Sequence, residues 1–287
     1  MNKILRSLFC ILIISIVGTS CEHKTKGNTD KLTIAVSITP QQELLQILAD
    51  TLVNIWTIVP EGKNPEIYDP TPQEMRKLSD CNAYFYVGDL GFETAWSERI
   101  GKLNNRIRIF RLTPPHHHHE GEHHRHDECD PHVWTSPDGI YLLAENMLSA
   151  LCTIDPENES VYEQGMQRLS ESINSVRNKV NETLKEVTNK AFVIYHPSLT
   201  GFAREFGFKQ LTIEQNGKEP TPEDLKRIVD EAKSLNVKVV FIQKEFNTEL
   251  AMSVAKEIGA EIVKIEPLSA NWQEQILSIS KALAQHK

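Results

Sequence analysis

The architecture of this chain is decided by residues 156–190, which read PENESVYEQGMQRLSESINSVRNKVNETLKEVTNK. The stretch has one Gly and no Pro after its first residue, and its apolar residues recur every three to five positions. They are Val161, Met166, Leu169, Ile173, Val176, Val180, Leu184 and Val187. This spacing predicts a single helix of roughly 30 residues, about 45 Å long, which is longer than most helices of globular proteins.

Short apolar runs rich in β-branched residues lie on both sides of this helix and predict strands. Those before it are residues 32–37, 53–59, 83–87 and 106–111, and those after it are 191–195, 211–213, 237–243 and 261–265. Thr71-Pro72-Gln73-Glu74 is a capping box that opens a helix through Leu78. Further helices are predicted after Pro222, Thr248 and Asn271.

Strands that alternate with helices favour parallel pairing, so the predicted fold class is α/β with doubly wound sheets. We divide the chain into an N-terminal lobe (31–155), a long rigid linking helix (156–190) and a C-terminal lobe (191–287). A helix packed inside one domain is the alternative. The alternation of strands and helices begins again after the long helix, which favours the interpretation that this helix connects two lobes.

The first 20 residues predict an export signal. Lys3 and Arg6 provide a cationic start, and residues 8–17 form an apolar run. As a helix that run spans about 15 Å, half of the roughly 30 Å of bilayer hydrocarbon, so a permanent membrane span is disfavoured.

Cys21 directly follows the small residues Gly18, Thr19 and Ser20, as in a bacterial lipoprotein signal. We therefore expect cleavage before Cys21, lipidation of its sulfur, and a flexible tether over residues 21–30. The predicted location is periplasmic or in the cell envelope, with the membrane reached through the lipid anchor. Gly18 stands where such signals usually have Leu, so ordinary secretion with an unmodified Cys21 is the alternative.

The composition excludes several classes of protein. With 40% hydrophobic and 24% charged residues, the chain is neither disordered nor fibrous. Its 31 Lys and Arg against 39 Asp and Glu, with no long basic run, argue against a nucleic-acid partner. Beyond the signal, Cys81, Cys129 and Cys152 allow at most one disulfide, which is no disulfide framework.

Seven of the 11 histidines fall within residues 116–126: His116, His117, His118, His119, His123, His124 and His126. Imidazole is a preferred ligand of Zn, Cu and Ni ions. Because the segment 114–128 begins with prolines and lacks apolar residues, we predict a mobile loop with several weak, exchangeable metal sites. A merely solvated polar loop is the alternative.

One match inside this loop is misleading. His119-Glu120-Gly121-Glu122-His123 satisfies the H-E-x-x-H pattern of zinc proteases. That motif requires a helix whose other face packs inside the protein, whereas here there is a central Gly and no apolar neighbour. In so histidine-rich a tract, a chance match is the better interpretation.

Two further histidines lie in more structured surroundings. His132 belongs to Asp130-Pro-His-Val-Trp-Thr-Ser-Pro137, and His196 directly follows a predicted strand. The carboxyl ends of the strands are where α/β sheets bind ligands. One histidine in each lobe is therefore a candidate for a shared site.

Five motifs together resemble a known family. They are residues 64–72 (NPEIYDPTP), 130–137 (DPHVWTSP), His196 with 201–208 (GFAREFGF), 219–225 (EPTPEDL) and 265–268 (IEPL). In this order they are similar to the zinc and manganese solute-binding proteins of bacterial ABC importers, the zinc-uptake periplasmic binding proteins of cluster A-I. The resemblance spans essentially the whole mature chain. It implies two lobes joined by a rigid helix, with one metal ion in the cleft between them.

The resemblance also implies a ligand set. It makes His132 and His196 ligands, and it puts Glu266 at the acidic position of the family's Asp-Pro-Leu motif. The family normally reads Asp-Pro-His-x-Tyr in its first motif, whereas this chain has Glu66 where that first histidine belongs. A carboxylate can bind zinc at about 2.0–2.2 Å, so Glu66 is the fourth candidate ligand. If Glu66 is solvated instead, water or a neighbour such as Glu61 or Asp69 would complete the site.

Two imidazoles with two carboxylates suit Zn²⁺, and Mn²⁺ and Fe²⁺ tolerate this set better than an all-histidine site. The adjacent histidine loop favours zinc. We therefore expect a monomeric, lipid-anchored receptor, not an enzyme, that captures a divalent metal ion, most favourably Zn²⁺, and delivers it to an ABC-type membrane permease. The alternatives are a manganese or iron receptor of the same family, an exported metallohydrolase using the same residues, and an extracellular metal buffer or adhesin built on the histidine loop.

Overall fold

The computed structural model describes residues 31–104, 106–115, 131–214, 218–246 and 249–286. The predicted signal, the tether with Cys21, and the seven histidines of residues 116–126 lie outside these ranges. No helix in the described part of the chain combines the length and the apolar character that a membrane span requires. Cys81 and Cys152 are both free thiols.

The first lobe is built on a four-stranded parallel sheet in the order β2-β1-β3-β4. Its strands are β1 (Leu32–Val36), β2 (Val53–Thr57), β3 (Ala83–Tyr86) and β4 (Arg108–Arg111). The helices that accompany them are α1 (Thr39–Ala49), α2 (Pro72–Ser79), α3 (Gly91–Leu103) and α4 (Pro137–Ile154). The predicted capping box is present at α2, where the Thr71 hydroxyl accepts from the Glu74 amide at 3.3 Å.

The second lobe repeats this topology in the order β6-β5-β7-β8, again with all strands parallel. Its strands are β5 (Ala191–Ile194), β6 (Lys209–Thr212), β7 (Val239–Gln243) and β8 (Glu261–Ile265). Its helices are α6 (Thr200–Phe206), α7 (Pro222–Ser234), α8 (Glu249–Ile258) and α9 (Trp272–Ala284). The predicted class, α/β with two parallel-sheet lobes, is confirmed.

Some predicted strands are longer than the observed ones because buried apolar residues also occur in turns. Val237 is 2% exposed, but its amide bonds to the carbonyl of Ala232 at 2.9 Å and closes the turn after α7. Strand β7 therefore begins at Val239. Periodicity reports burial, and only backbone pairing distinguishes a strand from a buried turn.

The long helix α5 runs from Glu159 to Leu184, 26 residues, and follows a short 3-10 helix over Pro156–Asn158. Val187 is buried, but its amide bonds to the Leu184 carbonyl at 3.1 Å. The last apolar residue of the pattern thus lies in a closing turn. Helix α5 packs on α1 and α4 of the first lobe and on α9 at the end of the chain.

The two lobes share part of their hydrophobic core. One cluster of buried side chains includes Ile34 and Phe85 of the first sheet together with Phe192, Phe241 and Trp272 of the second lobe. The opposite face of the second sheet packs against α7 and α8 as a separate cluster. A continuous apolar junction of this kind restricts independent movement of the lobes.

Candidate metal centre

Three metal-ligating side chains meet at the junction of the lobes. Glu66 lies in the loop between β2 and α2, His132 immediately precedes the 3-10 turn Val133–Thr135, and His196 is the second residue after β5. One ligand atom from each lies within 4.8 Å of the other two, and no other such group of three occurs in the described ranges. His132 and His196 are 6% and 9% exposed.

The two imidazoles face one another through their Nε2 atoms, which are 3.3 Å apart. A tetrahedral ion with Zn–N bonds of about 2.0–2.1 Å would hold two nitrogens about 3.3 Å apart. The Glu66 Oε1 atom is 3.6 Å from His132 Nε2. The spacing of the three atoms therefore fits a single small cation.

Glu66 is held in place by backbone contacts. Its amide donates to Asn64 Oδ1 at 2.9 Å, and its Oε2 accepts from the Gly91 amide at 3.1 Å. A Cβ on Gly91 would lie 2.0 Å from the Glu66 carbonyl oxygen, so the first turn of α3 can approach this closely only with glycine.

The second carboxylate oxygen of Glu66, Oε1, is buried and has no hydrogen-bond partner. A buried carboxylate oxygen without a donor is costly, and in native proteins it is usually paired or bound to a cation. This orphaned atom is the one that faces His132. The residues present therefore fit a bound metal ion.

His196 is oriented by a buried carboxylate. Its Nδ1 lies 3.0 Å from Glu214 Oε2, and Glu214 is 8% exposed. A proton on Nδ1 donated to Glu214 leaves the Nε2 lone pair free toward the centre of the site. This arrangement fixes the orientation of the ring and directs Nε2 at the position where a metal ion would lie.

The prediction missed Glu214 and Gln243, which both support His196. Gln243 Nε2 donates to the His196 carbonyl at 2.7 Å. Glu214 directly follows the predicted strand 211–213, and Gln243 ends another predicted strand. Both residues lie at the carboxyl ends of strands that neighbour β5, and this position could have identified them as candidates from the sequence.

Glu266 is not part of this group. Its Oε1 lies 3.4 Å from Lys244 Nζ, and its side chain is 49% exposed. Glu61 and Asp69, considered as substitutes for Glu66, are exposed and also lie outside the group. The structure thus brings together three of the four candidate ligands: Glu66, His132 and His196.

A small cavity opens beside the two imidazoles. Its lining includes Trp134, Glu245, Phe246 and the segment Pro267–Leu268. Phe246 stacks on His196 with ring centroids 4.6 Å apart and 16° between the planes. Burial raises the pKa of Glu245, and the negative charge of Glu266 adds to the rise. The largely apolar walls limit water and strengthen attraction between the ligands and a cation.

The sequence profile of the family described as "Zinc-uptake complex component A periplasmic" matches residues 34–285. The chain is 24% identical to the zinc-binding lipoprotein AdcA of Streptococcus pneumoniae (strain ATCC BAA-255 / R6), over 96% of this chain but only 57% of that protein. It is also 24% identical to the manganese-binding lipoprotein MntA of Halalkalibacterium halodurans, over 88% of this chain and 86% of that protein.

The fold is similar to a crystal structure of ZnuA, with a TM-score of 0.81 and 30% sequence identity over 89% of this chain and 99% of that one. The resemblance found in the five sequence motifs is therefore confirmed. The chain belongs to the family of periplasmic component A proteins of zinc-uptake complexes.

Proposed function

We propose that this protein is a cell-envelope receptor that binds one divalent metal ion through Glu66, His132 and His196 and delivers it to an ABC-type permease. One observation carries the proposal: the orphaned Glu66 Oε1 and two Nε2 atoms 3.3 Å apart converge on one point. The family match and the names of the relatives support binding and transport rather than catalysis. We also propose that the protein acts as a monomer.

Zinc is the proposed cargo. The spacing of the imidazole nitrogens suits tetrahedral Zn²⁺, and imidazole favours zinc over manganese along the Irving–Williams order. The carboxylate of Glu66 weakens this preference, because Mn²⁺ and Fe²⁺ favour oxygen ligands. We therefore propose a zinc receptor that is less selective for zinc over manganese than a receptor with an all-histidine site.

Two carboxylates are candidates for the fourth ligand. Glu266 remains one, since its half-exposed ion pair with Lys244 contributes only about 0–1 kcal/mol and can open. Glu245 is the other, because it lines the same cavity as the histidines. Either would close the coordination sphere, as expected of a carrier rather than of a hydrolytic site with a bound water.

Attachment to the membrane through a lipid on Cys21 is also part of the proposal. The small residues before Cys21 support it, and the relatives AdcA and MntA are named as lipoproteins. Mass spectrometry of the protein extracted from its own host would detect a diacylated Cys21. A mature chain with a free thiol at this position would indicate ordinary secretion.

The receptor function is tested with protein purified from its own host. Elemental analysis should find about one equivalent of tightly retained metal, and the metal-free protein should rebind Zn²⁺ with one tight site. The triple variant Glu66→Ala, His132→Ala, His196→Ala should lose that site. Unchanged tight binding by the triple variant would contradict the ligand set, and turnover of ester or phosphate substrates by the zinc-loaded protein would favour a hydrolase.

A further inference from the structure

Two hydrogen bonds connect the 3-10 turn Val133–Thr135 of the first lobe to loops of the second lobe. The indole Nε1 of Trp134 donates to the Pro267 carbonyl at 2.9 Å, and the Thr135 hydroxyl lies 2.8 Å from the Ser198 carbonyl. Trp134 and Thr135 are 2% and 4% exposed. The turn that carries His132 is therefore bound to loops of the opposite lobe.

The Thr135 contact continues into a network that joins the backbones of both histidines. The same hydroxyl lies 2.8 Å from the His132 carbonyl, so its proton is shared between two carbonyls. On the other side, Gln243 Nε2 lies 2.8 Å from Ser198 Oγ and 2.7 Å from the His196 carbonyl. Hydrogen bonds thus lead from His132 through Thr135, Ser198 and Gln243 to His196.

This network is shielded from water and supported from behind. Ser198 and Gln243 are each 2% exposed, so water cannot readily replace a broken bond. A Cβ on Gly139 would lie 1.8 Å from the Val133 carbonyl oxygen, which shows how closely the start of α4 packs against the turn. The turn has little room to move away from the second lobe.

We propose that Thr135 is a positioning residue that holds His132 and His196 at metal-binding distance before the ion arrives. This role rests on the proposed metal-receptor function. The two histidines come from different lobes. Without the Thr135 bridge, metal binding would therefore have to order two loops at once. A preformed pair of ligands binds more tightly because that ordering is already complete.

The bridge also acts on metal choice. The 3.3 Å separation of the two Nε2 atoms suits a tetrahedral zinc ion. If the loops are allowed to separate, zinc loses its favoured geometry, whereas a metal that accepts more varied coordination loses less. Removing the Thr135 hydroxyl should therefore weaken zinc more than manganese.

The test compares Thr135→Val, which removes the hydroxyl at nearly constant shape, with Thr135→Ser, which keeps it. Thr113→Val is the matched control, because the buried Thr113 hydroxyl also donates to a carbonyl, that of Val87 at 2.7 Å, within the first lobe only. Zinc and manganese affinities are measured on the full mature chain by competition with a strong chelator, which reports the tight site. Zinc release is followed by stopped flow, and thermal unfolding of each metal-free protein is recorded.

We expect Thr135→Val to lower zinc affinity about tenfold or more and to speed zinc release, with a smaller loss for manganese. Thr135→Ser and Thr113→Val should stay within about threefold of the parent. Parent-like zinc binding by Thr135→Val, or equal losses in Thr135→Val and Thr113→Val, would overturn the positioning role and leave the receptor function intact. A parent protein that binds neither metal tightly would instead refute the receptor function.

Should Thr135→Val fail to fold, Thr135→Ala removes the same hydroxyl, and with it the contacts to the His132 and Ser198 carbonyls, without adding a methyl group. Zinc release from Thr135→Ala should be faster than from the parent. Release at the parental rate would overturn the proposal.

Discussion

Glu66 occupies the position where the family resemblance implies a histidine, and the structure shows how a carboxylate could bind a metal ion there. The Gly91 amide donates to one carboxylate oxygen, and the other is buried, has no hydrogen-bond partner and lies 3.6 Å from His132 Nε2. A histidine at this position would present a nitrogen in place of that oxygen. The departure should therefore alter metal preference more than the ability to bind.

The Glu66 prediction follows from ligand chemistry. Glu66→His should raise the affinity for Zn²⁺ relative to Mn²⁺, because a borderline nitrogen replaces a hard oxygen. Glu66→Ala should weaken both metals, by roughly tenfold or more, since one charged ligand is lost. Competition binding of Zn²⁺ against Mn²⁺, with residues 116–126 deleted to remove their background, measures both effects. Glu61→Ala, an exposed neighbour, is the control, and parental affinity of Glu66→Ala for both metals would exclude Glu66 from coordination.

Glu93, on helix α3, is a buried carboxylate that anchors the helix supporting Glu66. It is 1% exposed and accepts from the Ser37 hydroxyl and from the amides of Val87, Gly88 and Leu90 at 2.8, 2.7 and 3.3 Å. Burial raises the pKa of Glu93 to about 7, although each of these donors favours the charged form. Desolvation thus outweighs four hydrogen bonds.

The raised pKa of Glu93 predicts how stability depends on pH. Between pH 4.5 and about 7 the folded protein holds this proton while the unfolded chain has lost it, so the free energy of unfolding falls as pH rises through this range. The fall is at most about 3 kcal/mol. Urea unfolding of metal-free protein at several pH values measures it, and Glu93→Gln, which cannot ionise, should show a flatter profile. The same slope in both proteins would mean that another group is responsible.

At the scale of elements, the contact between α5 and α1 depends on Gly165. A Cβ at this position would lie 2.4 Å from the Leu48 carbonyl oxygen and 2.7 Å from its Cα. Both are backbone atoms of the end of α1, so they cannot move aside without shifting the helix. The long helix therefore approaches the first lobe backbone to backbone.

Gly165→Ala should consequently destabilise the protein, although alanine is the better helix former. The propensity gain is at most about 1 kcal/mol, and overpacking against backbone typically costs about 1–3 kcal/mol or more. The free energy of unfolding in denaturant is the measurement. Gly101→Ala in α3 is the matched control, since a Cβ there meets nothing within 4 Å, and it should leave stability unchanged or raise it slightly. Equal stabilisation by both substitutions would show that α5 is not held against α1.

At the scale of the whole molecule, the candidate metal centre and the histidine-rich tract should act independently. Gly91 contacts the Glu66 carboxylate, and Glu214 and Gln243 contact His196, so these two ligands are oriented by residues of the described fold. The tract lacks the apolar residues needed to build one fixed geometry. Its metal complexes should be weak and exchangeable.

Deleting residues 116–126 should therefore leave one tight metal site and abolish additional weak ones. Calorimetric titration of the metal-free parent and the deletion variant with Zn²⁺ distinguishes the two classes of site by stoichiometry and affinity. Thermal unfolding of the two proteins is the control: coinciding transitions show that the deletion leaves the fold intact. Loss of the tight site from a folded deletion variant would show that the tract is part of it.

Much of this architecture could be predicted from the sequence by itself. The parallel α/β class, the capping box at Thr71 and the long helix between the lobes depend on local periodicity and turn chemistry, which neighbouring residues carry. His132 could be singled out because it belongs to the motif 130–137, and His196 because it directly follows a predicted strand. The exact ends of strands could not, since residues such as Val237 are buried in turns.

Only the tertiary structure decided what surrounds the two histidines. Glu214 and Gln243 are 18 and 47 residues from His196 along the chain, and Thr135 is 63 residues from Ser198. Their roles arise where strands of one sheet end side by side and where the lobes meet, which no local pattern encodes. The ion pair of Glu266 with Lys244 could not be predicted from the sequence either, because an exposed carboxylate pairs with whichever cationic side chain the fold places nearby.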